Sequence, residues 1–184
     1  FMNFKYSYIP LLIILNSCSN SSYYDISIPA KQNNRGDYGL VDLNGNLVVD
    51  FEIDQRPSIM TSNWSYFNEN GKIKFVNSKS NFFDTDFSEA LHFNENYSIV
   101  KDYDGRLAII DLDLKVISVL DGVEKAGYIS DGMIKFMGSN GLWGYMNKFG
   151  EIVIDPIYSR ASFFSENLAT VGLKNFDNNK IEYG

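Results

Sequence analysis

The 184-residue sequence predicts an all-β fold, a tandem array of about four three-stranded antiparallel units. Three observations predict it. Tyr38, Ile73, Leu107 and Trp143 open similar segments and stand 35, 34 and 36 residues apart, each segment closing on Asp or Asn (Asp42, Asn77, Asp111, Asn147). One position ahead of a later strand reads Asn63, Asn96, Gly132 and Asn167, the residue types that best tolerate positive φ. The chain is 45% hydrophobic with 14 Phe and 12 Tyr, a composition that favours strands and excludes wholesale disorder. Net charge is −7 and no stretch concentrates Lys and Arg, so a nucleic-acid partner, which needs a basic footprint, is excluded.

At the N-terminus Lys5 supplies a positive charge and residues 9–15 form an apolar run interrupted only by Pro10. That run is far shorter than the roughly 20 residues a spanning helix needs, and it fits the apolar centre of an export signal over residues 1–17. Leu15-Asn16-Ser17-Cys18 resembles the lipobox of bacterial lipoproteins, where cleavage falls before a Cys that carries lipid. Leu15 and Ser17 match that pattern, whereas Asn16 is bulkier and more polar than is usual there. Cys18 is the only cysteine, so no disulfide can form within the chain. The resemblance implies lipidation of Cys18 and a membrane-anchored lipoprotein of the bacterial cell envelope. Residues 18–35, beginning Ser19-Asn20-Ser21-Ser22, read as a polar tether, with regular structure expected from near Gly36.

The repeats are placed at 36–68, 69–101, 104–137 and 140–174, each with strands A (143–147 in the last), B (151–155) and C (168–173). Asn44-Gly45 between A and B predicts a two-residue type I′ hairpin, and Phe149-Gly150 holds the same place in the last repeat. Pro156 lacks the N–H a ladder needs and is expected to end strand B. Leu47-Val48-Val49, Ile152-Val153-Ile154 and Leu107-Ala108-Ile109-Ile110 do not alternate, which predicts strands covered on both faces. Trp143 is expected to be the largest buried group of its unit, with Gly144 admitting a close backbone or ring. Single units cannot hide their apolar faces, so stacking follows, in an open solenoid-like or a propeller-like arrangement. Residues 175–184 read as the start of a truncated fifth repeat, with Tyr183-Gly184 in the place of Trp143-Gly144. The chain is therefore expected to be a piece of a longer repeat protein.

Gly141-Leu142-Trp143-Gly144-Tyr145, the turn at Gly150, Val153-Ile154-Asp155-Pro156-Ile157-Tyr158 and Phe164-Ser165-Glu166-Asn167-Leu168-Ala169-Thr170-Val171 together resemble the WG repeat family of bacterial proteins. Repeat one keeps Tyr38, Gly39, Gly45 and Asn63, while repeats two and three carry Ile73-Lys74 and Leu107-Ala108 in place of the Trp-Gly pair. That family is defined by its repeat rather than by a reaction. The resemblance implies a β-rich array of the kind found on envelope and secreted proteins.

Chemistry is sparse. His92 is the only histidine, and with no second His or a Cys nearby in sequence it builds neither a dyad nor a metal site. No Gly-x-Ser-x-Gly elbow occurs. Asp42-Leu43-Asn44-Gly45-Asn46 and Asp102-Tyr103-Asp104-Gly105 look like partial calcium loops but lack a full ligand set, and turn chemistry accounts for both. Asp84, Asp86 and Glu89 form the densest acidic group, read as a solvated connection. Tyr103, Tyr158, Phe93 and Phe163 fall in connections, where rings either stack on sugars and partner surfaces or staple loops onto the core. The expectation is a chain with no catalytic residue, no cofactor and no metal. It reads as a non-enzymatic binding or scaffolding protein anchored to a membrane through lipidated Cys18, with a protein or an envelope polysaccharide as partner. The alternative is the targeting arm of an envelope enzyme whose catalytic domain lies beyond Gly184.

Overall fold

The computed structural model describes residues 26–34, 36–175 and 180–183. All of its regular structure is β, in five small antiparallel sheets. The first holds β1 (Ser27–Lys31), β2 (Tyr38–Asp42) and β3 (Leu47–Ile53), and the second β4 (Trp64–Glu69), β5 (Lys72–Asn77) and β6 (Phe82–Asp84). The third comprises β7 (Glu89–Ala90), β8 (Ser98–Lys101), β9 (Leu107–Ile110) and β10 (Val116–Leu120). β11 (Val123–Ser130), β12 (Met133–Gly138), β13 (Trp143–Asn147) and β14 (Ile152–Tyr158) make the fourth, and β15 (Arg160–Ala161), β16 (Val171–Asn175) and β17 (Lys180–Tyr183) the fifth. The chain divides into two compact units, one up to Thr85 and one from Asp86 onward.

Strand order shifts the expected phase. Each sheet takes strand C of one repeat and strands A and B of the next: β12 pairs with β13 and β13 with β14. The C-to-A link is a tight turn, so those two strands form a hairpin whichever residue a repeat is counted from. The same rule recruits Ser27–Lys31, which pairs along its whole length with β2. Regular structure is thus already present at Ser27, ahead of Gly36, because strand A of repeat one needs a hairpin partner that the expected tether (18–35) supplies. Cys18 and the export signal lie outside the described residues. At the far end β17 pairs with β16 from Gly172↔Tyr183 to Asn175↔Lys180, as strand A of a further repeat would.

The four left-handed positions are where the sequence places them: φ is 66° at Asn63, 71° at Asn96, 73° at Gly132 and 62° at Asn167. The residue before each is left-handed as well: Ser62, Glu95, Asp131 and Glu166. Two consecutive positive φ values define a type I′ turn, whose twist matches the strands it joins. The turns are closed by the pairs Thr61↔Trp64, Asn94↔Tyr97, Ser130↔Met133 and Ser165↔Leu168. Replacing Asn167 by Gly should be neutral or slightly stabilising, whereas Val should be worse than Gly by about 1–2 kcal/mol. Urea denaturation of the two variants checks this; equal midpoints would remove the steric account.

In the second unit these turns also tie one sheet to the next. Gly132 donates its N–H to Glu95 Oε2 at 2.9 Å, and Asn167 donates its N–H to Asp131 Oδ2 at 2.7 Å. One residue earlier in each turn, Asn94 Nδ2 donates to the Ile129 carbonyl at 2.7 Å and Ser130 Oγ to the Phe164 carbonyl at 2.7 Å. A carboxylate and a short polar donor at fixed turn positions therefore register successive repeats.

The A-to-B turn differs from expectation. Only Gly45, not Asn44, has positive φ; the Gly45 N–H donates to the Asp42 carbonyl and the Asp42 N–H to the Asn46 carbonyl. This is a three-residue loop with a left-handed third residue and a bulge, not a type I′ turn. The Asp42 carboxylate settles the choice by accepting the N–H groups of Asn44 at 2.9 Å and Asn46 at 2.8 Å. Asn77, Asp111 and Asn147 do the same in their repeats, which explains why every segment closes on Asp or Asn. Asp102 repeats the arrangement in the β8–β9 turn. Hydrogen bonds from Asn46 and from the Arg106 backbone hold Asp42 and Asp102, respectively, below the ordinary carboxylate range. Both partial calcium loops are thus turns whose carboxylates are occupied by the chain itself.

The core is built on the third residue of strand A. Leu40, Phe75, Ile109 and Tyr145 hold this position, and each is at most 1% exposed. Trp143, expected to be the largest buried group, is only half-buried, because it stands two residues earlier at the strand end, on the same face but nearer the rim. Among the described residues Tyr145 is the largest fully buried side chain, its hydroxyl donating to the Ser162 carbonyl at 2.9 Å.

Candidate interaction surface

The last strand of each of the first four sheets departs most from the sequence reading. Strand A of repeat three is buried on both faces, as expected. Strand B is not. Its first two residues are Leu47-Val48, Phe82-Phe83, Val116-Ile117 and Ile152-Val153, apolar in all four copies. Seven of the eight are exposed, from 37% at Phe82, Phe83 and Ile117 to 56% at Ile152, and Val48 is half-buried. These strands are sheet edges, so nothing on their outer side continues the ladder. The runs do not alternate, but the cover that pattern predicted is missing in the described chain.

Strand B also continues through Pro156 to Tyr158 instead of ending there. An edge strand has one side whose N–H groups need no partner, and Pro156 uses it. The register shifts between Trp143↔Tyr158 and Tyr145↔Ile154, so β14 bulges opposite Gly144. A Cβ on Gly144 would lie 2.5 Å from the Ile154 carbonyl oxygen and 2.8 Å from Pro156 N. Gly39 sits in the same way 2.6 Å from the Val49 carbonyl oxygen, beside a corresponding shift between β2 and β3. Close backbone approach, one of the two options at this glycine, is what the structure uses.

The four strands β3, β6, β10 and β14 contain Asp50, Glu52, Asp84 and Asp155 and no Lys or Arg. The outer strands therefore combine exposed aliphatic or aromatic pairs with isolated carboxylates. Among these, Asp84 lies 3.3 Å from Lys74 Nζ. In the second unit Glu89 pairs with Lys101 at 3.0 Å. The acidic group noted in the sequence is thereby at least partly engaged in ion pairs at the ends of strands.

The connection aromatics divide. Phe93 is 1% exposed and belongs to the core. Phe163 stacks on Tyr128 with centroids 4.1 Å apart and planes 9° apart, and Lys135 Nζ lies over the Phe163 and Trp143 rings at 4.2 and 4.7 Å. The same ammonium donates to the Ala161 carbonyl at 3.2 Å. These rings staple β15 and its loop onto the fourth sheet. Tyr158 is half-buried at the end of β14, and only Tyr103 stands out, at 57% exposed.

His92 packs against Tyr128 at 5.2 Å, half-buried, and burial alone moves its imidazole below the usual range. This shift bears on stability. The fold favours the neutral ring; its contribution is complete above the unfolded midpoint near 6.5 and is lost as pH falls toward the lower folded midpoint. Acidification from pH 7 to 5 should lower the melting temperature, and His92→Phe should flatten part of that slope. A wild-type imidazole titrating by NMR at or above the usual midpoint would contradict it.

The family model described as "WG containing repeat" matches residues 38–55 and 143–175. These two segments hold the Gly39 and Gly144 bulges. No curated protein matches the chain. Among solved structures the chain is similar to one described as "Crystal structure of the computationally designed Ika4 protein", at 15% identity and a TM-score of 0.47, over 68% of this chain and 86% of that one.

Proposed function

We propose that this chain is a non-enzymatic binding or scaffolding module, anchored to a bacterial envelope membrane through lipidated Cys18, that holds a protein partner on the outer strands of its sheets. The observation that carries this is the apolar pair at the start of strand B, present in four diverged copies with seven of its eight residues exposed. Scattered surface apolar residues are ordinary; the same two positions repeated every 34 to 36 residues are not. A protein partner fits better than a polysaccharide. Sugar platforms need flat rings with a free face, whereas the repeated pair is aliphatic in three of its four copies, and Phe163 and Tyr128 stack on each other.

The test uses the full chain in a bacterium, with a photo-crosslinking residue placed at Phe82, Ile117 or Val153, or at the exposed control positions Glu124 and Thr170. Discrete adducts from the strand-B positions and none from the controls are expected. Equal adducts from both sets, or none from any, would reject the surface. Palmitate labelling of wild type and not of Cys18→Ala tests the anchor separately.

A further inference from the structure

Two loops of the chain share one backbone and differ in how one side chain is held. In Asp42-Leu43-Asn44-Gly45-Asn46 the Asp42 N–H donates to the Asn46 carbonyl at 2.9 Å and the Gly45 N–H to the Asp42 carbonyl at 3.0 Å. In Gly138-Ser139-Asn140-Gly141-Leu142 the Gly138 N–H donates to the Leu142 carbonyl at 3.0 Å and the Gly141 N–H to the Gly138 carbonyl at 2.9 Å. Both glycines are left-handed, with φ of 84° and 74°, and an exposed Asn precedes each. The Asn140 amide is fixed at both of its atoms: Nδ2 donates to the Pro156 carbonyl at 2.9 Å and Oδ1 accepts the Leu142 N–H at 3.0 Å. Asn44 has no such anchor. Its loop is braced by the Asp42 carboxylate, which accepts the Asn44 and Asn46 N–H groups. Among the interactions that hold Asp42 below the ordinary carboxylate range, the Asn46 side chain is the largest and the Asn44 side chain the smallest.

We propose that Asn44 is a modification site, at which the side-chain amide is lost by spontaneous deamidation through a cyclic imide. The Gly45 nitrogen gives up its proton and attacks Asn44 Cγ. The N–Cγ bond forms, the Cγ–Nδ2 bond breaks, and Nδ2 leaves as ammonia with that proton. Water then opens the ring. Opening at Cγ leaves an aspartyl residue at position 44; opening at the main-chain carbonyl leaves an isoaspartyl link, with the chain running through the side-chain carbons. Water is the only co-reactant and ammonia the only by-product. Glycine permits the attack because it puts no side chain in the way of Cγ, and even a Cβ at Gly45 would meet nothing within 4 Å. At Asn140 the same ring cannot close until both anchors break, since Cγ has to swing over the Gly141 nitrogen. Asn70-Gly71 matches neither loop, because Asn70 is itself left-handed in a two-residue turn. Both products disturb the turn into β3: one sets a second carboxylate beside Asp42, and the other lengthens the main chain between Asp42 and Asn46. The inference is independent of the protein-partner reading above, since it involves only this chain and water.

The test incubates the full chain in mildly alkaline buffer, folded and, separately, unfolded in guanidinium chloride. Digestion and mass spectrometry then follow the peptides that carry residues 44 and 140. In the folded chain Asn44 should convert to a mixture of aspartyl and isoaspartyl forms at least about tenfold faster than Asn140, whose two side-chain hydrogen bonds have to be broken first. In guanidinium chloride the two sites should react at similar rates, because the dipeptide is the same and the anchors are gone. Asn44→Gln should suppress the acid product at position 44 and leave Asn140 unchanged. Conversion of Asn140 as fast as Asn44 in the folded chain overturns the inference. So does an Asn44 that stays intact in the folded chain while the unfolded chain reacts. A difference that persists undiminished in guanidinium chloride overturns it as well, because the fold would then not be its cause.

Discussion

Replacing Tyr145 by Ala is expected to destabilise the second unit by about 3–5 kcal/mol, the range for removing a fully buried aromatic side chain. The ring is 1% exposed and meets Phe164 edge-on at 4.8 Å. Its hydroxyl holds the Ser162 carbonyl at 2.9 Å, and burial, with the neighbouring Tyr158, raises the phenol above its usual range. Tyr145→Phe separates the two contributions: it keeps the packing, loses one hydrogen bond and should cost only about 1 kcal/mol. Trp143→Ala should fall well short of Tyr145→Ala, because the indole is half-buried and one of its faces meets only the Lys135 ammonium. Urea midpoints for the three variants give the order. If Trp143→Ala proves the costliest, the core is anchored at the first residue of strand A rather than the third.

This ordering shows what the sequence makes legible. The repeat period followed from spacing, and the all-β class from spacing together with turn residues and an aromatic-rich composition. The left-handed sites at Asn63, Asn96, Gly132 and Asn167 were legible because the steric signal at positive φ is local and sits in the residue type itself. The turn at Asn44-Gly45 was misassigned for the complementary reason. Asn-Gly fits two loop geometries, and the residue that decides between them, Asp42, lies outside the dipeptide. Its signal was present in the Asp or Asn closing every segment, but its meaning needed the two N–H groups it accepts.

Burial was less legible than turn chemistry. Trp143 and Tyr145 share a face by alternation, and only the finished strand shows which one stands nearer its end. Leu47-Val48 and Ile152-Val153 look like core because apolar runs without alternation suit strands covered on both sides. They are edge residues, and edge or centre is a property of sheet order, which no single strand encodes. For the same reason the candidate surface was missed, although its signal, an apolar pair recurring at one repeat position, was in the sequence. Cys18 remains a reading of the sequence, since it lies outside the described residues.

The second large effect is expected at Gly144. Gly144→Ala should cost about 3 kcal/mol, at the upper end of the usual range for overpacking. The added carbon would stand 2.5 Å from the Ile154 carbonyl oxygen, 2.8 Å from Pro156 N and 2.9 Å from Asp155 C. All three are backbone atoms of β14, so no side chain can swing aside and the strand itself has to move. The β14 bulge passes over Gly144, and relieving the clash means losing the pairing beyond it, at Trp143↔Tyr158. Repeat three shows the alternative outcome. Ala108 occupies the corresponding place, opposite Val119, where β10 runs straight past it and ends at Leu120. An Ala in repeat four should therefore push β14 toward the shorter form: amide hydrogen exchange at Ile157 and Tyr158 should accelerate while Tyr145 and Met146 stay protected. Gly45→Ala is the control for glycine lost without a clash. Its Cβ would point into open space, leaving only the strain of φ at 84°, about 1–2 kcal/mol. Equal costs for the two substitutions would mean that β14 yields easily. The glycine of the Trp-Gly pair would then be a conformational residue like any other, rather than the site over which the last strand folds.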